Sequence, residues 1–447
     1  MNDTICAIST AVGIGAISII RVSGSESISI VNNIFDKNLL EKESHTINYG
    51  HIIYNNEIID EVMVSIMRAP KTFTREDIVE INSHGGIATT NKILEILLLE
   101  GARLAEPGEF TKRAFLNGRL DLVEAESVMD LINSKTENSR KLAINGVEGK
   151  ISDLIHEITN KLIDINSNIE VNIDYPEYED IEVVTKDKIK EVSKFINKKL
   201  SILLAESENG RIIKEGINTL ILGRPNVGKS SILNKLINED KAIVTDIAGT
   251  TRDIVEGNIR VNGVLLNIID TAGIRNTDDV VEKIGVEKSL SLIEKSDLVI
   301  LVLNNNEKLT DEDLELIEKT NNKKRIIVIN KCDLDSKINL NLENENILKI
   351  SAIDNVDILK EEISNIFKLD ELNNKDFTYL SNSRQISLVK KALNISKKLE
   401  KSLEDDVFID MLEMDIKEIC EILNEIIGES YDEKLIDKIF SNFCLGK

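Results

Sequence analysis

The sequence predicts a multidomain chain: an α+β amino-terminal domain, a discontinuous all-α domain, and an α/β domain inserted into the helical one. Three observations predict it. At 447 residues the chain is too long for one core, and typical domain sizes suggest about two to four domains. The apolar period turns helical at Leu122 and does so again after about Asp376. Between about Gly216 and Leu369, strand-like runs alternate with helical segments, the pattern of a mostly parallel sheet covered by helices. The implied divisions are residues 1–118, 119–215, 216–370 and 371–447.

In the first division, strand candidates run from Thr4 to Ser9, Ala16 to Val22, Glu61 to Met67 and Ile78 to Ile81. Asn55-Asn56, between Ile53 and Ile58, suits a hairpin turn, because Asn tolerates positive φ and hydrogen-bonds locally. In the second, Val147, Ile151, Leu154, Ile158, Leu162, Ile165 and Ile169 recur at three- and four-residue steps and predict one long buried stripe. Asp174-Tyr175-Pro176-Glu177-Tyr178-Glu179-Asp180 reads as a solvated connection interrupting that helical block. In the third, the strands are Asn218 to Leu222, Leu265 to Ile269, Leu298 to Leu303 and Ile326 to Ile329. In the last, Ile386, Val389, Leu393, Leu399, Leu403, Ile416, Ile419, Leu423 and Ile426 restore the helical period.

Composition narrows the function classes. Hydrophobic residues at 42% are too many for global disorder. No basic segment precedes an apolar run at Met1, and no stretch reaches the ~20 apolar residues of a membrane span, so a cytoplasmic protein is expected. Cys6, Cys332, Cys420 and Cys444 form no CxxC pair, which argues against a disulfide framework or a zinc site. A formal charge of −23 opposes broad attraction to a phosphate backbone, so any RNA contact must be local or shared with a partner. With 4% aromatics and no Trp, there is little material for stacking single-stranded bases.

The chemistry sits in the inserted domain. Gly223-Arg224-Pro225-Asn226-Val227-Gly228-Lys229-Ser230 matches GxxxxGK[ST] after an apolar strand and before the helical run from Ser231, which makes this a P-loop domain. Its glycines let backbone N–H groups approach phosphates, Lys229 compensates β/γ-phosphate charge, and Ser230 offers a hydroxyl to Mg²⁺. Asp270-Thr271-Ala272-Gly273 follows the next strand, with a carboxylate for the metal side and a glycine N–H for the γ-phosphate. Asn330-Lys331-Cys332-Asp333 ends a later strand, where the Asp333 carboxylate can accept both the ring N–H and the exocyclic amine of guanine. Adenine lacks that donor pair. Ser351-Ala352-Ile353 completes the order with a backbone N–H for the guanine oxygen, so the nucleotide expected is GTP in a Ras-like fold.

Thr245-Asp246-Ile247-Ala248-Gly249-Thr250-Thr251 supplies hydroxyls in a loop able to order around γ-phosphate and Mg²⁺. Ile274 occupies the position where Ras-like proteins place the glutamine that orients water. Hydrolysis must recruit another polar group, and the segment Asp278, Asp279, Glu282 is nearest in sequence.

Beyond these motifs the chain carries Ile20-Arg21-Val22-Ser23-Gly24, Phe73-Thr74-Arg75-Glu76-Asp77, His84-Gly85-Gly86, Pro107-Gly108-Glu109-Phe110, Arg113-Ala114-Phe115-Leu116-Asn117 and a terminal Cys444-Leu445-Gly446-Lys447. Over essentially its whole length it closely resembles the tRNA-modifying GTPase family MnmE, also called TrmE. The resemblance implies a homodimer that assembles as a heterotetramer with the FAD-binding partner MnmG (GidA). Together they would install an aminomethyl-type (carboxymethylaminomethyl) group on the wobble uridine of tRNA, with a tetrahydrofolate derivative supplying the one-carbon unit.

By position in the motifs, the resemblance implies folate contacts at Arg21, Glu80, Lys447 and Arg119, the last where the family often has Lys. Glu80 suits the amide-like N–H and amine of a pterin, and the cations suit folate carboxylates, although each could equally form a surface ion pair. It also implies K⁺ at Asn226, Thr245, Ile247 and Thr250, Mg²⁺ at Ser230 and Thr251, water orientation by Glu282, and a role for Cys444 in the modification. The last competes with a plain buried thiol. Two departures stand out: Ala11-Val12-Gly13-Ile14-Gly15 replaces the family's glycine-rich turn, and Ser351-Ala352-Ile353 lacks the usual following glycine. A regulatory GTPase switch in ribosome or RNA maturation, without group transfer, is the alternative. It would need neither a folate-type amino-terminal domain nor the terminal motif.

Overall fold

The computed structural model describes residues 3–174, 186–239, 258–269, 286–340, 342, 345–352, 356–373, 378–380, 382–405 and 408–446. Two compact units emerge: residues 1–132, 145–201 and 382–447 in one, and 133–144 with 202–381 in the other.

The first unit opens with β1 (Ile5–Ile8), β2 (Ile17–Ser23), helix α1 (Ser27–Ile34), β3 (Thr46–Tyr54), β4 (Glu57–Met67), β5 (Ile78–His84), α2 (Ile87–Leu99) and β6 (Arg103–Leu104). The strands form one sheet in the order β3-β4-β5-β2-β1-β6. One face is apolar and covered: Cys6, Ile20, Val22, Val64, Ile66, Val79 and Ile81 pack with Ile28, Val31 and Ile34 of α1 and Ile93, Ile96 and Leu97 of α2. The predicted hairpin is present between β3 and β4, with Asn55 at φ 53 and Asn56 at φ 67. Its first strand escaped the sequence reading because Ile47 and Tyr49 stand exposed and blur the alternation.

Helix α3 (Glu109–Leu116) carries a buried ion network. Arg113, 1% exposed, donates to Asp3 Oδ1 at 2.9 Å, Glu109 Oε1 at 3.0 Å and Glu76 Oε1 at 3.1 Å. Three of the quoted motifs therefore meet in one structural cluster. Next along the chain come α4 (Leu122–Asn133), α5 (Glu137–Val147), most of which belongs to the second unit, α6 (Lys150–Asp174) and α7 (Lys186–Glu215), which passes into the second unit at Ile202. The stripe predicted from Val147 to Ile169 is real from Ile151 onward, but a two-residue break before Lys150 separates Val147 from it.

The second unit holds β7 (Ile217–Leu222), α8 (Lys229–Glu239), β8 (Asn258–Val261), β9 (Val264–Ile269), α9 (Val286–Lys295), β10 (Leu298–Asn304), α10 (Asp311–Lys319), β11 (Arg325–Asn330), β12 (Ile347–Lys349), α11 (Asp357–Phe367) and α12 (Leu369–Asn373). The sheet runs β12-β11-β10-β7-β9-β8, parallel throughout except for β8. All seven residues of β10 are buried, as expected of a central strand covered on both faces. The chain returns to the first unit in α13 (Ser383–Glu404), α14 (Ile409–Ile427) and α15 (Glu433–Phe440). Ile436, Phe440 and Phe443 at that end pack on Phe115, Leu122 and Ala125.

Candidate functional sites: a phosphate loop and a sheet-face cluster

In the α/β unit the loop from Gly223 to Gly228 leaves the carboxyl end of β7 and enters α8, so the amide groups opening that helix face outward beyond the sheet. Gly228 sits at φ +102, and a Cβ there would lie 2.1 Å from Asn330 Nδ2, so the loop approaches its neighbour as only glycine allows. Asn226 holds a left-handed φ of 64. Lys229 Nζ donates to the carbonyls of Gly223 at 2.6 Å and Arg224 at 2.8 Å, and burial pushes its ammonium below the usual lysine range against the pull of Glu312.

Asn330 joins the two sides of this site. Its Nδ2 donates to Val227 O at 2.9 Å, and its Oδ1 accepts from Ala352 N at 3.0 Å. Lys331 follows at φ 64, turning the chain at the end of β11, and Cys332 N donates to Ile350 O at 3.2 Å. The structure thus brings together Asn226, Val227, Gly228, Lys229, Ser230, Ser231, Asn330, Lys331, Asp333, Ser351 and Ala352 at the carboxyl edge of one sheet. Among the described residues the buried Ser351 Oγ has no hydrogen-bond partner, a polar group in the guanine-side loop that a ligand could satisfy. Thr245, Asp246, Ile247, Ala248, Gly249, Thr250, Thr251, Asp270, Thr271, Ala272, Gly273, Glu282 and Ile353 lie outside the described residues.

Arg224 escaped the sequence reading. Its guanidinium donates to Asp313 Oδ1 and Glu307 Oε2, each at 2.9 Å, and Asp313 also closes the capping box of α10 with Thr310. The first turn of the loop is therefore anchored to a helix start. The one sequence trace was the Thr310-x-x-Asp313 pattern.

A second site lies over the inner strands β2 and β5 of the amino-terminal sheet, on the face opposite the one that α1 and α2 cover. Arg21 and Glu80 face each other in the β2–β5 register, and Arg21 Nε donates to Glu80 Oε1 at 2.8 Å. The Arg21 guanidinium lies 5.6 Å from the Phe110 ring centroid. Arg119 lies 5.3 Å from the Phe73 ring and donates to Thr72 O at 2.8 Å. Phe73 and Phe110 belong to one apolar cluster with Ile5, Ala7 and Ala105. The chain terminus comes to the same cluster: Arg21 Nη1 donates to Gly446 O at 3.5 Å, Ser9 Oγ donates to Gly446 O at 3.2 Å, and Gly108 N donates to Cys444 O at 3.2 Å. Gly446 stands at φ +82, with Ile8 O 2.4 Å from where a Cβ would be. Cys444 is exposed, so the alternative of a buried thiol does not hold. Lys447 lies outside the described residues.

Comparison with known proteins places this geometry. Residues 4–119 match the family model described as GTP-binding protein TrmE N-terminus, and residues 122–444 match the MnmE helical domain. The chain is 53% identical over 449 residues to the tRNA modification GTPase MnmE of Streptococcus thermophilus, covering 100% of this chain and 98% of that protein. The chain belongs to the MnmE family. The MnmE of Streptococcus mutans is 52% identical over 449 residues, with 100% and 99% covered. Among solved structures, the FeoB G-domain from Methanococcus jannaschii matches at 25% identity and a TM-score of 0.25, over 34% of this chain and 98% of that one.

Membership in the MnmE family makes the chain a GTP-hydrolysing enzyme of tRNA modification, with a P-loop domain between two helical segments. Among the described residues no helix is long and apolar enough to cross a membrane. Within this MnmE-family chain, the sequence reading missed Phe110 and Ser9 as neighbours of Arg21 and Gly446. No local pattern marks them, because strand register and a contact spanning 437 residues bring them together.

Proposed function

We propose that the chain hydrolyses GTP at the β7–α8 loop and, with an FAD-binding partner of the MnmG type, adds an aminomethyl-type group at C5 of wobble uridine in tRNA. The observation that carries the reading is the convergence of Arg21, Glu80 and the Cys444–Gly446 terminus on one face of the amino-terminal sheet, distinct in the chain from the nucleotide loop. A timing switch needs no such second site.

The residues present fit a tetrahydrofolate derivative. Glu80 would accept from the pterin N–H and amine, while Phe110 and Phe73 offer ring faces, and Arg21, Arg119 and Lys447 would meet the folate carboxylates. Bound there, the folate supplies the one-carbon unit. Cys444, exposed in the terminal segment, would serve as a nucleophile or proton carrier. At the nucleotide loop Ser230 and Thr251 would hold Mg²⁺, and Asn226, Thr245, Ile247 and Thr250 would hold K⁺; these ions neutralise charge developing on the phosphates. Glu282 would orient the attacking water. The uncovered face of the amino-terminal sheet, with Ile47, Tyr49 and Met63 exposed, supports a homodimer through that domain.

Calorimetric titration with 5-formyltetrahydrofolate tests the site. The wild-type chain is expected to bind it, and Glu80→Ala and a chain ending at Phe443 to lose binding at least tenfold while retaining GTP hydrolysis. Equal folate affinity in all three would remove the site, and equal loss of hydrolysis would make the terminus structural.

A further inference from the structure

We infer that the lysine faces of α7 and α13 form a contact surface for the phosphate backbone of an RNA, which under the proposed function is the tRNA substrate. The inference rests on that reading for the identity of the RNA. It starts from charge. The chain carries −23 overall, yet residues 186–200 hold six lysines against two acids, and α13 holds Arg384 and five lysines against Glu400 and Glu404. The excess is local, as an RNA contact on an acidic protein must be.

Helical geometry orders these groups. On α13, Lys390, Lys397 and Lys401 follow at i, i+7 and i+11, one face of the helix, with rises of about 10 and 6 Å between them. The apolar face lies elsewhere, with Val389, Leu393, Leu399 and Leu403 buried. On α7, Lys194 and Lys198 are spaced i, i+4 opposite the buried Ile189, Ile196 and Leu200. The two helices are tied by Ser193 Oγ to Ser396 O at 3.1 Å and Asn197 Nδ2 to Glu400 Oε2 at 2.8 Å.

Pairing separates this surface from the other lysines of the same helices. Lys391 and Lys398 meet Glu418 and Asp415 of α14 at 3.4 and 3.0 Å, and Lys199 meets Glu157 at 3.0 Å. Among the described residues, Lys194, Lys198, Lys390, Lys397 and Lys401 are exposed and have no ion pair. Asn394 and Ser387 stand beside the α13 row, with no large apolar side chain in it. A protein partner would need apolar anchors at its centre, whereas a phosphate backbone needs spaced cations and hydroxyl or amide donors.

The test is fluorescence anisotropy of a labelled, unmodified tRNA transcript titrated with the full-length protein from 50 to 200 mM KCl. Lys390→Gln/Lys397→Gln/Lys401→Gln is expected to bind about tenfold or more weaker at 100 mM, with a log–log salt slope shallower by about two to three, one step per lost phosphate contact. Lys391→Gln/Lys398→Gln should bind as wild type, and the triple Lys→Arg variant should restore both affinity and slope. GTP hydrolysis without RNA should be unchanged in all. A wild-type chain that does not bind tRNA, a triple variant with unaltered slope, or equal losses in the control pair would each overturn the proposal. An acidic protein partner using this face would show as unaltered tRNA binding. Failure of the tRNA-modification reading is a separate result, seen as intact wobble uridine modification in cells lacking the chain.

Discussion

Asn330 holds Val227: the amide at the end of β11 donates to the phosphate-loop carbonyl at 2.9 Å while accepting from the Ala352 N–H at 3.0 Å. The residue opening the guanine motif is thus a clamp between the phosphate side and the base side. Asn330→Ala leaves a buried carbonyl and a buried N–H unpaired, at about 1–3 kcal/mol for each unsatisfied group. GTP affinity should fall on the order of tenfold or more, measured by competition with a fluorescent nucleotide, while far-UV circular dichroism stays native. Unchanged affinity would show that the loop keeps its shape without the clamp.

Hydrolysis should run faster in K⁺ than in Na⁺. Ile274 cannot orient water, and a cation beside Asn226 would stabilise transition-state charge in its place. Glu282→Ala should lower kcat by about 100-fold with little change in nucleotide affinity. Steady-state rates in KCl and NaCl check both. Equal rates in the two salts would exclude the cation, and a Glu282→Ala variant as fast as wild type would exclude the carboxylate.

Acid should weaken the Arg113 network in a defined direction. Burial pushes the Glu109 carboxyl up, but hydrogen bonds from Arg103, the Glu106 N–H and Arg113 outweigh it and hold the group below its ordinary 4.5. The unfolded chain then binds the proton more readily, so this stabilisation is present above pH 4.5 and is lost as pH falls through the lowered native value. Glu109→Gln should cost about 3 kcal/mol at neutral pH, the scale of a broken buried pair. Thermal melts between pH 3 and 7 should show the gap to wild type narrowing in acid. A constant gap would mean that the charge of Glu109 carries none of it.

Much of this molecule was legible in its sequence, for identifiable reasons. β7, β9, β10 and β11 are near-continuous apolar runs because parallel strands are covered on both faces, and the phosphate loop follows one of them as its pattern requires. β3 was not legible, since Ile47 and Tyr49 on its uncovered face defeat the period-two signal. The motifs around Glu76, Glu109 and Arg113 carried the family resemblance without a stated role, and in the structure their charges are spent on each other. Arg21, Glu80 and Gly446 lie far apart in the chain, and only the β2–β5 register and the packing of α15 bring them together on one face of the sheet.

The most direct measurement is nucleoside analysis of bulk tRNA from cells lacking this chain, complemented with the wild type or with Asp333→Asn. Deletion should abolish the aminomethyl-type modification of wobble uridine, the wild-type chain should restore it, and Asp333→Asn should not, because its amide cannot accept both guanine donors. Unchanged modification after deletion would contradict an enzyme of tRNA modification, and full rescue by Asp333→Asn would contradict the requirement for GTP.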